Sequence, residues 1–127
     1  MMPGCRMTVV QNGVAKSGNL WLYRTIEGIL QHADRQPSSW IERQPIYQEA
    51  QYWELSFRGQ AGIDTIDVGP RDVHAYISSL WRDQILDMER FLEQASHVWT
   101  HSPWSPHLQE VYERCERRVY IVRDPRD

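Results

Sequence analysis

The chain has 127 residues and a mass of 15.1 kDa, enough for one domain or part of one. A net charge of −3 excludes a global basic field for nucleic acid or an anionic membrane. No apolar run approaches the roughly 20 residues of a membrane span, no signal-peptide core is present, and two cysteines are too few for a disulfide framework. The composition therefore predicts a cytoplasmic protein with reduced thiols.

A strand, a glycine-containing loop and a helix are predicted, in that order, near the N-terminal end. Residues 7–10 and 14–15 are apolar and indicate a buried first strand. The segment NGVAKSGNLW (12–21) supplies the loop. Residues 19–33 then have helical spacing, with one apolar face formed by Leu22, Ile26, Ile29, Leu30 and Ala33. This order of elements aims backbone N–H groups and a helix N-terminus at an anion.

Strands and helices are predicted to alternate along the rest of the chain. Residues 52–57 and 63–68 indicate strands, residues 71–95 have helical spacing, and residues 97–101 (HVWTH) indicate another strand. Ser105 and Pro106 have the pattern of an N-cap and a first helical residue. The buried face of the short helix that follows comprises Leu108, Val111, Tyr112 and Cys115. Residues 119–122 (VYIV) are the strongest strand signal and are typical of a central parallel strand.

This alternation predicts an α/β fold, namely a P-loop-like three-layer sandwich with a mostly parallel sheet. Ligands of such sheets bind at the carboxyl ends of the strands. Because Lys16, His101 and Arg123 each lie at the end of a predicted strand, we expect them to come together where the strands' carboxyl ends meet.

The loop differs from the Walker A loop of nucleotide hydrolases, which reads G-x-x-x-x-G-K-[ST]. Gly13 and Gly18 have the required spacing, but Asn19 and Leu20 stand where Lys and Ser/Thr belong. The only lysine of the chain, Lys16, lies inside the loop. Its compact ammonium could follow a leaving oxygen as a point charge. Since the Ser/Thr that would ligate Mg²⁺ is missing, the loop favours a sulfuryl donor, which carries less negative charge than a phosphoryl donor.

Three motifs in the same order resemble those of sulfotransferases that use 3′-phosphoadenosine 5′-phosphosulfate (PAPS). AKSGNLWL is similar to their Lys-Ser-Gly-x-Thr-Trp loop, and WTHSPW resembles the Thr-His segment that carries the general base in cytosolic-type members. VYIVRDPRD resembles their apolar strand ending in Arg-[Asn/Asp]-Pro-[Lys/Arg]-Asp. The resemblance covers residues 8–33 and 97–127, whereas residues 40–95 do not align.

The resemblance implies specific roles for these residues. Lys16 would stabilise the leaving oxygen of the phosphosulfate, and His101 would deprotonate the acceptor. Arg123 would hold the 3′-phosphate, a group that arginine binds bidentately. Together the residues implied in donor binding are Lys16, Ser17, Gly18, Asn19, Leu20, Trp21 and Arg123, with loop N–H groups from residues 17–20 and Trp21 near the adenine. The acceptor would be a hydroxyl or amine on a small molecule or carbohydrate, and no metal is required.

Two departures from the family pattern affect this interpretation. Leu20 replaces a threonine that helps to hold the 5′-phosphate. The chain also ends at Asp127, before the family's next 3′-phosphate ligand. Residues 1–127 are therefore interpreted as the N-terminal half of a sulfotransferase domain, truncated after its strongest strand, whose exposed sheet edge is expected to self-associate.

Two other functions and two other roles for His101 stay open. The chain could be a non-catalytic remnant or interaction module that keeps the fold but has lost donor binding. It could also be a P-loop nucleotide kinase or hydrolase, although the missing Gly-Lys-[Ser/Thr] disfavours this function. His101 could be a structural histidine bonded to a backbone group at a strand end. A zinc pair with His97 is disfavoured, because four-residue spacing suits a helix and this segment has the pattern of a strand.

Overall fold

One mixed sheet organises the computed structural model, which describes residues 8–14, 18–33 and 37–122. In chain order its elements are β1 (Val9–Gly13), α1 (Asn19–His32), a 3₁₀ turn (Ile41–Arg43), α2 (Ile46–Ala50), a 3₁₀ turn (Gln60–Gly62), β2 (Asp64–Val68), β3 (Val73–Ile77), β4 (Trp81–Gln84), α3 (Met88–Gln94), β5 (His97–Thr100), α4 (Pro106–Glu113) and β6 (Arg117–Ile121). None of the helices in these ranges is long and apolar enough to cross a membrane.

The strands lie in the order β4-β3-β2-β5-β1-β6. Strands β2, β5, β1 and β6 run parallel to one another, whereas β3 is antiparallel to both β2 and β4. The predicted α/β class is therefore confirmed, but the sheet is mixed, because a β3–β4 hairpin extends the parallel strands at one side.

Helices cover both faces of the sheet because successive strand residues point to opposite sides. On one face Val9 packs against Ile26 and Leu30 of α1. On the other, Val10 belongs to a buried cluster that includes Phe91 of α3 and Leu108 of α4. The buried residues of this larger core are Val10, Ile66, Val68, Val73, Phe91, Leu92, Ala95, Val98, Leu108, Val111 and Cys115.

Several predicted elements are confirmed with small shifts. Helix α1 spans Asn19–His32, but Ile29 is 60% exposed and Tyr23 is buried in its place, so the buried face is rotated from the predicted one. The Ser105 hydroxyl accepts the Leu108 N–H at 3.0 Å, which confirms the predicted N-cap of α4. Strand β1 contains the buried polar residues Gln11 and Asn12, which were not part of the predicted strand. Val14, which was predicted to be buried, is exposed, and Ala15 lies outside the described residues.

The predicted helix over residues 71–95 is wrong, except for Met88–Gln94. Val73 and Ile77 are four residues apart. This spacing fits one face of a helix, and it also fits one face of a strand, on which residues i, i+2 and i+4 lie. The intervening Ala75 is buried as well, which gives β3 a strictly alternating burial pattern. The predicted strand over residues 52–57 is also wrong, since that segment is an irregular connection after α2.

Strand β6 lies at an edge of the sheet rather than at its centre. Among the described residues it pairs only with β1, and its side chains are half-buried or exposed. Tyr120 is 58% exposed. The apolar run VYIV was therefore a correct signal for a strand and a wrong signal for its burial.

Candidate functional site

The strands that carry the three motifs are direct neighbours in the sheet. Strand β1 lies between β5 and β6, and all three are parallel. Asn12 pairs with Thr100 and Gly13 with Ile121, so the three carboxyl ends lie side by side. Lys16, Ser17 and Arg123 lie outside the described residues. The segments that lead to them meet at the carboxyl ends of the parallel strands, next to His101.

Both glycines of the loop have a steric reason to be glycine. A Cβ on Gly13 would lie 2.5 Å from Ile121 Cγ2 and 2.8 Å from Asn19 Oδ1, which is closer than real side chains approach. Gly18 has a φ of 92°, in the left-handed region that favours glycine. Glycine is thus required at position 13 by the close approach of β6 and at position 18 by the turn into α1.

Asn19 occupies the position of the Walker lysine but holds the loop instead of extending from it. It is buried, and its Nδ2 donates to the Val14 carbonyl at 2.8 Å. Its own carbonyl accepts from Gln11 Nε2 at 2.9 Å. Its Oδ1 has no hydrogen-bond partner in the described ranges. The residue at the position of the Walker lysine is therefore a neutral amide that bonds the loop backbone.

The described part of the N-terminus of α1 has features that suit an anion. Gly18 provides no side-chain cap, and the first turn contains no acidic residue. The first N–H groups of a helix lack intrahelical partners and carry the positive end of its dipole. Trp21 is 67% exposed in this turn, while Leu20 packs beside Tyr23 in a small core cluster.

The imidazole of His101 makes two hydrogen bonds that define its tautomer. Nδ1 lies 2.7 Å from the Gly13 carbonyl oxygen and must donate, since a carbonyl only accepts. Trp99 Nε1 lies 3.2 Å from Nε2 and donates to it, since an indole N–H only donates. These contacts assign the ring proton to Nδ1 and leave the lone pair on Nε2, directed at Trp99.

The segment around His101 is fixed by a buried polar network. Ser102 Oγ accepts the Val68 N–H at 2.8 Å and contacts Thr100 Oγ1 at 2.7 Å. Asn12 Nδ2 donates to the Ser102 carbonyl at 2.9 Å and to the Tyr112 hydroxyl at 2.7 Å. Strands β1, β2 and β5 thus all hold the turn that carries His101.

A second polar network lies beneath α1 and reaches the glycine loop. His97 Nε2 donates to Gln11 Oε1 at 2.8 Å, and Gln11 in turn bonds the backbone of Asn19. The His97 ring stacks on Tyr23 with a centroid distance of 4.1 Å. Burial lowers the pKa of His97 to about 4, so the ring is neutral at physiological pH. His97 is a core residue that supports the loop, in contrast to the exposed His101.

A groove of about 370 Å³ lies beside His101 over strands β2–β4. It is lined by Ile66, Asp67, Tyr76, Ser78, Ser79, Trp81, Arg82, His101, Ser102 and Pro103. Within the described part of the chain, no three His, Cys, Asp or Glu side chains are grouped so as to hold a metal ion.

The sequence prediction missed Trp99, Asn12 and Gln11. A signal for Trp99 was available, because alternate residues of a strand share a face and His101 is two residues further on. Asn12 and Gln11 gave no such signal, since they interrupt an apolar run. Comparison with models of protein families, with curated proteins and with solved structures found no match.

Proposed function

We propose that this chain carries the donor-binding half of a PAPS-dependent sulfuryl-transfer site. The observation that carries the proposal is the pairing of β5, β1 and β6, which brings the ends of the three motif-bearing strands together. The connection after β1 leads past β5 to β2, and the connection after β5 leads past β1 to β6. Such a reversal marks a topological switch point, where α/β sheets bind ligands, and it supports a P-loop-like arrangement.

In the proposed reaction His101 Nε2 takes the proton of an acceptor hydroxyl or amine. The freed electron pair attacks sulfur, the bond between sulfur and the bridging oxygen breaks, and its electron pair stays on adenosine 3′,5′-bisphosphate. The Lys16 ammonium would stabilise that oxygen, together with N–H groups at the start of α1. Arg123 would bind the 3′-phosphate and Trp21 the adenine.

Trp99 bears directly on the availability of this base. Its indole N–H occupies the Nε2 lone pair of His101 at 3.2 Å. Trp99 is 7% exposed and stacks between Tyr23, at 5.6 Å, and Phe57, at 6.2 Å. An acceptor must therefore displace this contact before it can transfer a proton to His101.

The same contact favours a second candidate, a remnant of the fold that binds a nucleotide without catalysis. In that case the indole bond would be a permanent structural contact, and His101 would only link β5 to the backbone of β1. Both functions predict nucleotide binding, so only measurement of turnover separates them.

Three substitutions test the proposal. Lys16→Ala and His101→Ala should both lower sulfuryl transfer from PAPS, with the loss of a general base costing about 10²–10⁴-fold. His101→Ala should leave affinity for adenosine 3′,5′-bisphosphate nearly unchanged. Lys16→Arg should bind the donor but turn over slowly, because a guanidinium does not act as a point charge. Full turnover by His101→Ala would remove its role as base, and absence of turnover in the wild-type chain would favour the remnant.

A further inference from the structure

A small cavity of about 130 Å³ lies at the amino ends of β2 and β5. Asp64 and His97 are the first residues of these two strands, and both line it. The remaining described walls come from α1, the segment after it and the start of β2: Tyr23, Glu27, Leu30, Pro37, Ser38, Ser39, Glu42, Gly62 and Ser96. His101 lies four residues beyond His97, or about 13 Å at the rise of a strand. The cavity is therefore separate from the site proposed above and does not depend on its function.

His97 offers an unpaired acceptor to this cavity. The residue is 5% exposed, its Nε2 donates to Gln11, and one face of its ring is covered by Tyr23. Because the ring proton is on Nε2, Nδ1 carries a lone pair. Nδ1 is buried and has no hydrogen-bond partner in the described part of the chain. Buried acceptors are almost always bonded in native proteins, so this atom marks a place for a donor.

Two carboxylates at the cavity form no ion pair with the residues that the structure describes. Asp64 is 3% exposed and accepts the N–H groups of Trp40 and Ile41 at 2.9 and 2.8 Å. These bonds use two of the roughly four acceptor positions of a carboxylate. Glu42 reaches over the cavity wall, since its Oε1 lies 3.0 Å from the position that a Cβ on Gly62 would take.

The lone pair and the carboxylates together select a cation that donates hydrogen bonds. The third carboxylate of the walls, Glu27, pairs with Arg24 at 3.3 Å, and the described walls contain no Lys or Arg. Burial first, and then the nearby Glu42, raise the pKa of Asp64 to about 7, a penalty that a cation in the cavity would offset. An ammonium has three N–H donors, so one can bond His97 Nδ1 while the others face carboxylate oxygens.

The volume and the apolar lining limit the rest of the ligand. An apolar cavity of about 150 Å³ can hold benzene, so this one suits about five or six heavy atoms. Leu30 and the ring of Tyr23 supply apolar contacts for a short alkyl chain. We propose that the cavity binds a small primary alkylammonium ion, with His97 Nδ1, Asp64 and Glu42 as the acceptors of its N–H groups.

Titration of the ¹⁵N-labelled chain with butylamine, followed by NMR, tests the proposal. At about pH 8 the amine is protonated, as a lysine would be, and Asp64 is ionised. Backbone signals of Gly62, Ser96 and His97 should shift in a saturable way, while that of Gly69, beyond the opposite end of β2, should not. The Nδ1 resonance of His97 should move to the position of a hydrogen-bonded acceptor. 1-Butanol, which lacks the charge, should bind more weakly by about tenfold or more.

A matched pair of variants checks the role of the carboxylates. Glu42→Gln should weaken the binding of butylamine by about two- to fivefold, because an exposed ion pair contributes little. The control is Glu49→Gln, which removes an exposed carboxylate on α2 outside the cavity and should leave the binding unchanged.

Several results would overturn the proposal. They are absence of saturable shifts with butylamine, equal binding of 1-butanol, and tighter binding of butyrate or methylguanidine. A His97 Nδ1 resonance that already has the position of a hydrogen-bonded acceptor, and that the amine does not move, would show that water alone completes the site. Binding of adenosine 3′,5′-bisphosphate at the carboxyl ends of the strands is measured separately, so failure of either site leaves the other standing.

Discussion

His101 combines a structural contact with the requirements of a base. Its Nδ1–H bonds the Gly13 carbonyl, so the hypothesis of a backbone-bonded histidine at a strand end describes one of its two nitrogens. The same bond directs the lone pair to Nε2, which is the nitrogen a base would use. The contact that distinguishes a working base from a structural ring is therefore the one with Trp99.

Trp99→Phe should raise turnover if the indole contact restrains the base. The phenyl ring keeps the stacking on Tyr23 and Phe57 but removes the N–H donor. Breaking one neutral hydrogen bond is worth about 0.5–1.5 kcal/mol, so kcat should rise by about two- to tenfold. Trp104→Phe is the control, because its indole is 69% exposed. A fall in kcat for Trp99→Phe alone would show instead that the indole positions His101 productively.

Two buried groups should give opposite contributions to stability as pH changes. Burial raises the pKa of Asp64 from 3.8 to about 7, so its contribution to stability falls as pH rises over that window. Burial lowers the pKa of His97 from 6.5 to about 4, so its contribution rises between those values. Each slope is at most about 1.4 kcal/mol per pH unit, and the two nearly cancel between pH 4 and 6.5.

Denaturant unfolding across this pH range checks the cancellation. His97→Gln should show a free energy of unfolding that falls with pH, because the Asp64 slope is then unopposed. Asp64→Asn should show a free energy of unfolding that rises with pH. Its free energy of unfolding should also be lower overall, because the N–H groups of Trp40 and Ile41 donate to the two carboxylate oxygens of Asp64 and an amide has only one oxygen. The exposed His32→Gln serves as the control. Equal slopes in the two buried variants would contradict the assignment of these protonation states.

The elements that were predicted correctly are those whose pattern fits a single structure. Helix α1 is long enough for its period to exclude a strand, and α4 is marked by Ser105 and Pro106. Strand β3 was missed because apolar residues at 73 and 77 satisfy both periods. The edge position of β6 could not be predicted, since an apolar run does not report how many neighbours a strand has.

Among the loop residues, the close packing of Gly13 could not be predicted from the sequence. It depends on Ile121 of β6, which lies over a hundred residues further along the chain. Gly13→Ala should lower the free energy of unfolding by about 1–3 kcal/mol, because the new Cβ meets Ile121 and Asn19. Gly28→Ala is the matched control: no atom lies within 4 Å of its Cβ, and alanine in a helix should stabilise by about 0.5–1 kcal/mol. An unchanged free energy of unfolding in Gly13→Ala would mean that β1 and β6 separate easily.

At the scale of the whole molecule, the sheet presents an edge that is open in the described part of the chain. Strand β6 pairs on one side only and carries the exposed Tyr120. Such edges pair with other chains, and a lysine on the edge prevents this. Sedimentation equilibrium should show concentration-dependent association that Tyr120→Lys weakens, while Tyr52→Lys, at a site 85% exposed, does not. A wild-type chain that stays monomeric at all concentrations would exclude this mode of association.

The proposed function requires that the carboxyl ends of β5, β1 and β6 bind a 3′-phosphorylated adenosine nucleotide without a metal ion. Calorimetric titration of the chain with adenosine 3′,5′-bisphosphate, in the presence of a chelator, tests it most directly. We expect binding without Mg²⁺, weaker binding of adenosine 5′-phosphate, and a loss of about 1.5–3 kcal/mol in Arg123→Ala that is confined to the 3′-phosphorylated ligand. A strict requirement for Mg²⁺, or an equal loss for both nucleotides in Arg123→Ala, would contradict it.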